Sequence, residues 1–377
     1  MSSSSTTTTK PNHVVIVGGG VIGTMTAYFL AENHAIESTI VDVSGQIAPA
    51  ASGKAGGFLA LDWNDYGPVG QLTRRSFALH QELADALGAD KIQYRRLTCA
   101  GISVSSTGAS AKPGGKKLQG VEWAQEKAGA IQTLGDVNTI AQVHPQKLCD
   151  ALWKTLQEKK MSKLVQGKAV GAVYNDDDQL EGCQLDDGTV IKGDAVLFAA
   201  GPWTANIMTG VKYHSVILPT QETLSQCVFF SGAGDPEVYV RPDNTAYCCG
   251  FPDPPRKVTE QPGQEEVRQP AVDRIVDAVK TAAGEHAQLN YEQPTKVSSC
   301  YLPATPDNLP IMGPLLSKEA GGGPGCFIAT GHSCWGILNA PGTGESMASW
   351  IATGTPTDHV DMRPYNPARF RGMKVLE

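Results

Sequence analysis

No two of the nine cysteines stand in C-x-x-C spacing, which sets aside zinc ribbons and dithiol redox pairs. Cys248 and Cys249 are adjacent, and neighbouring strand side chains point to opposite faces, so they read as packing residues and not as a disulfide. A reducing, cytoplasmic compartment is the simplest fit. No apolar stretch approaches the length of a membrane span. There is no run of Lys or Arg, and a net charge of −7 argues against a nucleic-acid surface. No internal repeat is present. The opening MSSSSTTTTK is polar and low in complexity, which reads as a disordered tail. It lacks the arginines of a mitochondrial presequence and the apolar core of a secretory signal. The closing KVLE is not a peroxisomal address.

What remains is an ordinary globular composition, 41% hydrophobic and 18% charged, in 377 residues. That length exceeds one hydrophobic core and predicts two domains. The stretch HVVIVGGGVIGTMTAYFLAE, residues 13–32, carries the most information. His13 to Val17 reads as a buried parallel strand. Gly18, Gly20 and Gly23 follow in G-x-G-x-x-G spacing. The first permits a tight turn, the second lets backbone N–H groups approach a pyrophosphate, and the third lets the helix pack on the strand. A helix from Thr24 to Glu32 and a strand from Ser38 to Val43 complete the unit. Asp42 lies near the spacing at which a carboxylate meets a ribose hydroxyl.

Further on, Val69–Leu87 reads as an amphipathic helix, residues 105–117 as an exposed Gly, Ser and Lys-rich loop, and Gln146–Lys159 as a helix opened by Pro145. Asp194–Ala200 is a second buried strand ending in AAGPW. From Tyr213 to Thr295 short β runs alternate with Pro-rich turns, and Asp273–Ala283 is helical, the texture of an antiparallel sheet with a helix. Gly325–Thr330 is a third buried strand, followed by GHSCWG and a helix over Asn339–Ile351. The predicted fold class is α/β: a discontinuous Rossmann-like dinucleotide domain plus an α+β substrate domain with an antiparallel sheet. Three strand-then-glycine units far apart in the chain suit FAD, a long molecule held by several segments, better than a nicotinamide.

These residues resemble the FAD-dependent oxidoreductase family of D-amino-acid oxidase, glycine oxidase and monomeric sarcosine oxidase. The resemblance covers nearly the whole chain beyond residue 12. It rests on GGGVIG at 18–23, ASGKAGG at 51–57, HP at 144–145, AAGPW at 199–203, TPDNLPIMG at 305–313 and GHSCWGILNAPGTG at 331–344. The wording SGKAGGFLA and GHSCWGI is similar to a fungal and plant subgroup of oxidoreductases without an assigned substrate. The division this implies is a tail at 1–11, an FAD-binding domain at 12–90, 140–212 and 297–371, and a substrate domain at 91–139 and 213–296.

The resemblance implies that Gly18, Gly20 and Gly23 hold the pyrophosphate, Asp42 the adenosine ribose, and Val170 a place beside the adenine. It implies Ser52, Gly53, Gly56 and Gly57 along the isoalloxazine and phosphates, with Gly201 and Trp203 nearby. Gly331, His332, Ser333, Trp335 and Gly336 would present backbone groups to the pyrimidine end of the ring. The side chains of His332 and Trp335 serve either that site or the packing of their loop.

Family members pass hydride from an amine carbon to flavin N5, so the implied activity is oxidation of the C–N bond of a small amine or N-substituted amino acid, with oxygen as acceptor. The alternatives are a dehydrogenase with another acceptor, or a flavoprotein with a binding or trafficking role. The familiar arginine that clamps a substrate carboxylate is replaced by Leu302, and the familiar lysine by Leu338. A buried carboxylate without a partner costs several kcal/mol, so an ordinary amino-acid substrate is disfavoured. Arg241 could substitute as the cation or form a surface ion pair. Lys54 could assist oxygen, bind substrate or pair with a cofactor phosphate. Tyr239 and Tyr247 are either amine-site walls or core. Cys300 stands where monomeric sarcosine oxidase carries its thioether to the flavin, and reads as that link or as a buried free thiol, the commoner state.

Overall fold

The computed structural model describes residues 10–104, 121, 123–124, 131–284 and 287–376; the loop expected at 105–117 lies outside them. A six-stranded sheet runs in the order Ile311–Pro314, Cys326–Thr330, Ala195–Phe198, His13–Val17, Glu37–Asp42, Ser162–Gln166. The five strands from Cys326 onward in that order are parallel, and Ile311–Pro314 adds an antiparallel edge. Side chains alternate along His13–Val17 because successive strand residues face opposite sides. Val14 and Ile16 enter a core shared with the helices Val21–His34, Gly70–Leu87, Pro145–Glu158 and Gly336–Thr353. Val15 and Val17 enter a second core under a three-stranded sheet, Ala169–Tyr174, Leu180–Leu185 and Val190–Lys192. Burial on both faces explains why the strand reads as an unbroken apolar run.

A second, seven-stranded sheet has the order Lys296–Ala304, Thr209–Pro219, Thr245–Gly250, Glu237–Arg241, Gln226–Gly232, Thr98–Val104, Ile131–Gly135. It is antiparallel except where Gln226–Gly232 pairs in parallel with Thr98–Val104. Residues 297–304, expected with the cofactor-binding segments, lie in its edge strand Lys296–Ala304, which pairs over nine residues with Thr209–Ile217. On one face Val238, Val240, Ala246 and Cys248 pack against Val272, Ile275 and Val279 of the helix Gln269–Ala283. The other face carries Glu237, Tyr239, Arg241 and Tyr247, and it meets the segment after Ser52: a Cβ on Gly56 would overlap the Tyr239 ring. No described helix is long and apolar enough to cross a membrane.

Candidate FAD site

The carboxyl ends of the parallel strands open into a cleft of about 940 Å³, at the upper end of the range for ligand pockets and at the place open α/β sheets bind ligands. Strand order sets its length. Asp42 and Gly167–Ala169 stand at one end, the turn after His13–Val17 and residues 199–203 in the middle, and Gly331–Cys334 with Leu302 and Pro303 at the other.

The middle is built by the glycine turn. Gly18 has φ of 112°, and a Cβ there would overlap the Ala199 carbonyl. Gly23 lies outside the cleft wall; its missing side chain lets the helix sit on the Gly18 carbonyl and on Ile16. The N–H groups of Gly20 and Ile22 line the cleft and reach no acceptor among the described residues. Ser52 Oγ, also in the wall, accepts the Val21 N–H at 2.9 Å. Free amides at a helix N-terminus are an anion site suited to a pyrophosphate. Asp42 Oδ2 accepts the Gly19 N–H at 2.9 Å, while Oδ1 accepts from Ser44 N–H and Oγ at 2.9 and 2.6 Å. Asp42 thus braces the turn as well as facing the cleft.

The profile of the family described as FAD dependent oxidoreductase matches residues 13–350. The chain belongs to this family. A Schizosaccharomyces pombe protein named only as an oxidoreductase is 30% identical over 374 residues, covering 90% of this chain and 93% of its own. Glycine oxidase of Pseudomonas aeruginosa is 24% identical over 385 residues, covering 93% and 96%. The crystal structure of glycine oxidase from Geobacillus kaustophilus shares the fold, with a TM-score of 0.76, 19% identity, and coverage of 97% and 100%.

The chain is therefore an FAD-dependent oxidoreductase, and the cleft fits its cofactor: a long trough with amide donors at its centre and an acid, Asp42, at one end. Gly18, Gly20, Asp42, Ser52, Gly201, Trp203, Gly331, His332, Ser333 and Gly336 all stand in the wall. Others do not. Val170 is 44% exposed on the outer side of its strand, because it alternates with Ala169, which faces in. Lys168 and Ala169 occupy the end where Val170 was expected. Gly53 packs on Ala48 and Gln146, and Gly57 on the Val143 carbonyl, both behind the wall. Trp335 turns away onto Trp63, edge to face at 6.5 Å. His332 faces the cleft but spends Nε2 on Thr343 Oγ1 at 2.9 Å, so its side chain packs the loop.

The two expected cations are both engaged. Lys54 Nζ donates to Glu265 Oε2 and to the Ser299 carbonyl, each at 3.0 Å. Arg241 is neither on the surface nor free. It is 7% exposed, donates to the Ala55 and Gly56 carbonyls at 3.1 and 3.5 Å, and lies over the Tyr247 ring. It holds residues 55–56 against the seven-stranded sheet. Leu302 lines the cleft, whereas Leu338 is buried in the helical core with its carbonyl bonded to His80. Tyr239 and Tyr247 stack on each other at 5.7 Å and 6°.

Cys300 is absent from the wall, and burial pushes its thiol up to about 12. The thiol is therefore protonated at neutral pH, and only the thiolate attacks. Acid precipitation of the purified protein is expected to leave all the flavin in the supernatant; colour in the pellet would refute this.

Three histidines are held neutral by burial: His80 and His144 at about 4 and His332 at about 3, against an ordinary 6.5. The Nε2–H of His80 donates to the Ile337 and Leu338 carbonyls. Below pH 6.5 the unfolded chain binds protons that the fold refuses, so stability is full above 6.5 and falls as pH drops towards 4. Each histidine contributes up to about 1.4 kcal/mol per pH unit in that window. Urea unfolding at pH 7.5 and pH 5 should show a clearly lower midpoint at pH 5, and equal midpoints would refute neutral burial.

Proposed function

We propose that the protein oxidises the C–N bond of a small amine or N-substituted amino acid, with oxygen as the electron acceptor. The observation that carries this reading is the aromatic cluster that approaches the Cys334 end of the cleft through Trp335. There the seven-stranded sheet presents aromatic side chains, Phe229 and Tyr239, joined by Phe58 and Trp63. FAD, when bound, supplies the hydride acceptor at N5. The chain's own residues bind and orient. The amides of Gly20 and Ile22 take the pyrophosphate, and Asp42 with Lys168 and Ala169 the adenosine end. The backbone of residues 331–336 receives the pyrimidine end, where its donors favour the negative charge of the reduced ring. The aromatic wall excludes water from the amine carbon while it loses hydride, and the amine nitrogen loses its proton, leaving an imine. The glycine oxidase relatives support an amine-type substrate by their names.

The test is anaerobic mixing of the yellow protein with a panel of small amines and N-alkyl amino acids. Loss of the visible flavin band is the expected result, and a band untouched by the whole panel would overturn the reading. Admitting air then decides the acceptor: rapid return of colour with peroxide supports oxygen, and slow return points to a dehydrogenase.

A further inference from the structure

We infer that Glu237 receives the substrate's nitrogen and that the substrate is an amine carrying no carboxylate, seated against an aromatic box, a cluster of mutually packed rings beside the flavin cleft. This narrows the amine-oxidation reading above and rests on it.

Glu237 pairs with Phe229 on one side and Cys249 on the other, so the three lie in a row across one face of the sheet. Tyr239, two residues on, shares that face. Phe229 meets Trp63 at 5.1 Å and Phe58 at 5.2 Å, and Phe58 stacks on Tyr239 at 5.3 Å and 17°. Trp63 in turn meets Trp335. Phe58, Trp63, Phe229, Tyr239 and Trp335 pack at the margins of the apolar cores, and they and Glu237 are partly buried. Cys334, exposed and in the cleft wall, joins the box to the flavin site. Burial raises the Cys334 thiol and the Tyr213 hydroxyl, and the nearby charge of Glu237 adds to the rise in both.

The carboxylate is held in a particular way. Its Oε2 accepts the Tyr239 O–H, and also the Cys249 S–H at 3.5 Å. Its Oε1 accepts from no group among the described residues. Burial raises the Glu237 carboxyl above the ordinary carboxylate range, and the two donors oppose that rise. A fixed acid with one open oxygen attracts an ammonium through its charge and a direct hydrogen bond, beside an apolar aromatic surface. The same acid repels a substrate carboxylate, and the two expected cations are held elsewhere: Lys54 is paired with Glu265, and Arg241 donates to the Ala55 and Gly56 carbonyls. Leu302, where a clamp was expected, adds no donor.

The experiment uses the purified flavin-loaded protein and three probes of one shape: benzylamine, benzyl alcohol and benzoate. Binding is read from tryptophan fluorescence, since Trp63 and Trp335 belong to the box. Benzylamine is expected to bind roughly 10- to 100-fold more tightly than benzyl alcohol, the range for a hydrogen bond to a charged group, and benzoate more weakly than either. Glu237→Gln should remove the benzylamine advantage and leave benzyl alcohol unchanged. The order of the three probes on the unmodified protein tests the inference even if that variant fails to fold. Benzoate binding as tightly as benzylamine would overturn the inference, as would no saturable benzylamine binding or an unchanged benzylamine affinity in Glu237→Gln. Anaerobic flavin reduction separates the two readings. Glu237-dependent binding with no reduction by any amine would leave this site standing and remove amine oxidation. Equal reduction in the unmodified protein and Glu237→Gln would do the reverse.

Discussion

Gly18→Ala is expected to give a protein that has lost both its flavin and much of its stability, whereas Gly20→Ala keeps the fold and loses only affinity. The two glycines lie two residues apart in one motif, but their surroundings differ. Gly18 sits at φ of 112° with the Ala199 carbonyl where a Cβ would go. Strain from the left-handed conformation alone costs about 1–3 kcal/mol. The backbone overlap adds to this, because relieving it means separating the two central strands of the sheet. A Cβ on Gly20 would meet only Ser52 Oγ, at 3.2 Å, a side chain that can turn. It would crowd the amides of Gly20 and Ile22, the proposed pyrophosphate site, and spare the core. Urea unfolding and flavin content after gel filtration check both variants. Equal stability loss in the two would show that the turn, and not the Ala199 contact, sets the cost.

Arg241→Met is expected to destabilise the protein by about 2–4 kcal/mol, through loss of charge-assisted bonds and exposure of an unpaired buried carbonyl. The methionine fills the space over Tyr247 but donates nothing to the Ala55 and Gly56 carbonyls. The segment these residues belong to connects Ser52 and Ala55 of the cleft wall to the stacked Tyr239 and Tyr247, so bound FAD should dissociate faster as well. Arg241→Lys restores charge without the fork and should recover only part of the loss. A carboxylate clamp would behave differently, with stability unchanged and the KM for carboxylate substrates raised. Denaturation midpoints with steady-state kinetics distinguish the two roles, and an unchanged midpoint in Arg241→Met would refute the bracing role.

Much of this was legible in the chain. The β-branched run at His13–Val17, the glycine spacing and the acid at Asp42 specify strand, turn, helix and strand through local sterics, and these elements formed where they were expected. The same holds for the helices over 70–87 and 145–158, whose apolar residues recur on one face, while the helix expected over Asp273–Ala283 begins earlier, at Gln269. The strand EVYVR also encoded, by its period of two, that Glu237, Tyr239 and Arg241 share a face. It did not encode what that face meets.

Tertiary structure decided the rest, because those outcomes depend on partners distant in sequence. Arg241 turns inward because residues 55–56 offer carbonyls to it across 185 residues or more. Val170 faces outward because the pairing of its strand sends Ala169 to the cleft side. Cys300 keeps its proton because burial in the folded chain removes the water its thiolate would need. The aromatic box draws on residues near 60, 230, 239 and 335, which no spacing rule connects. By itself the sequence determined that the chain builds a dinucleotide cleft. Folding determined which charges remain available at its edge, since desolvation and pairing are properties of neighbours that only the packed chain brings together.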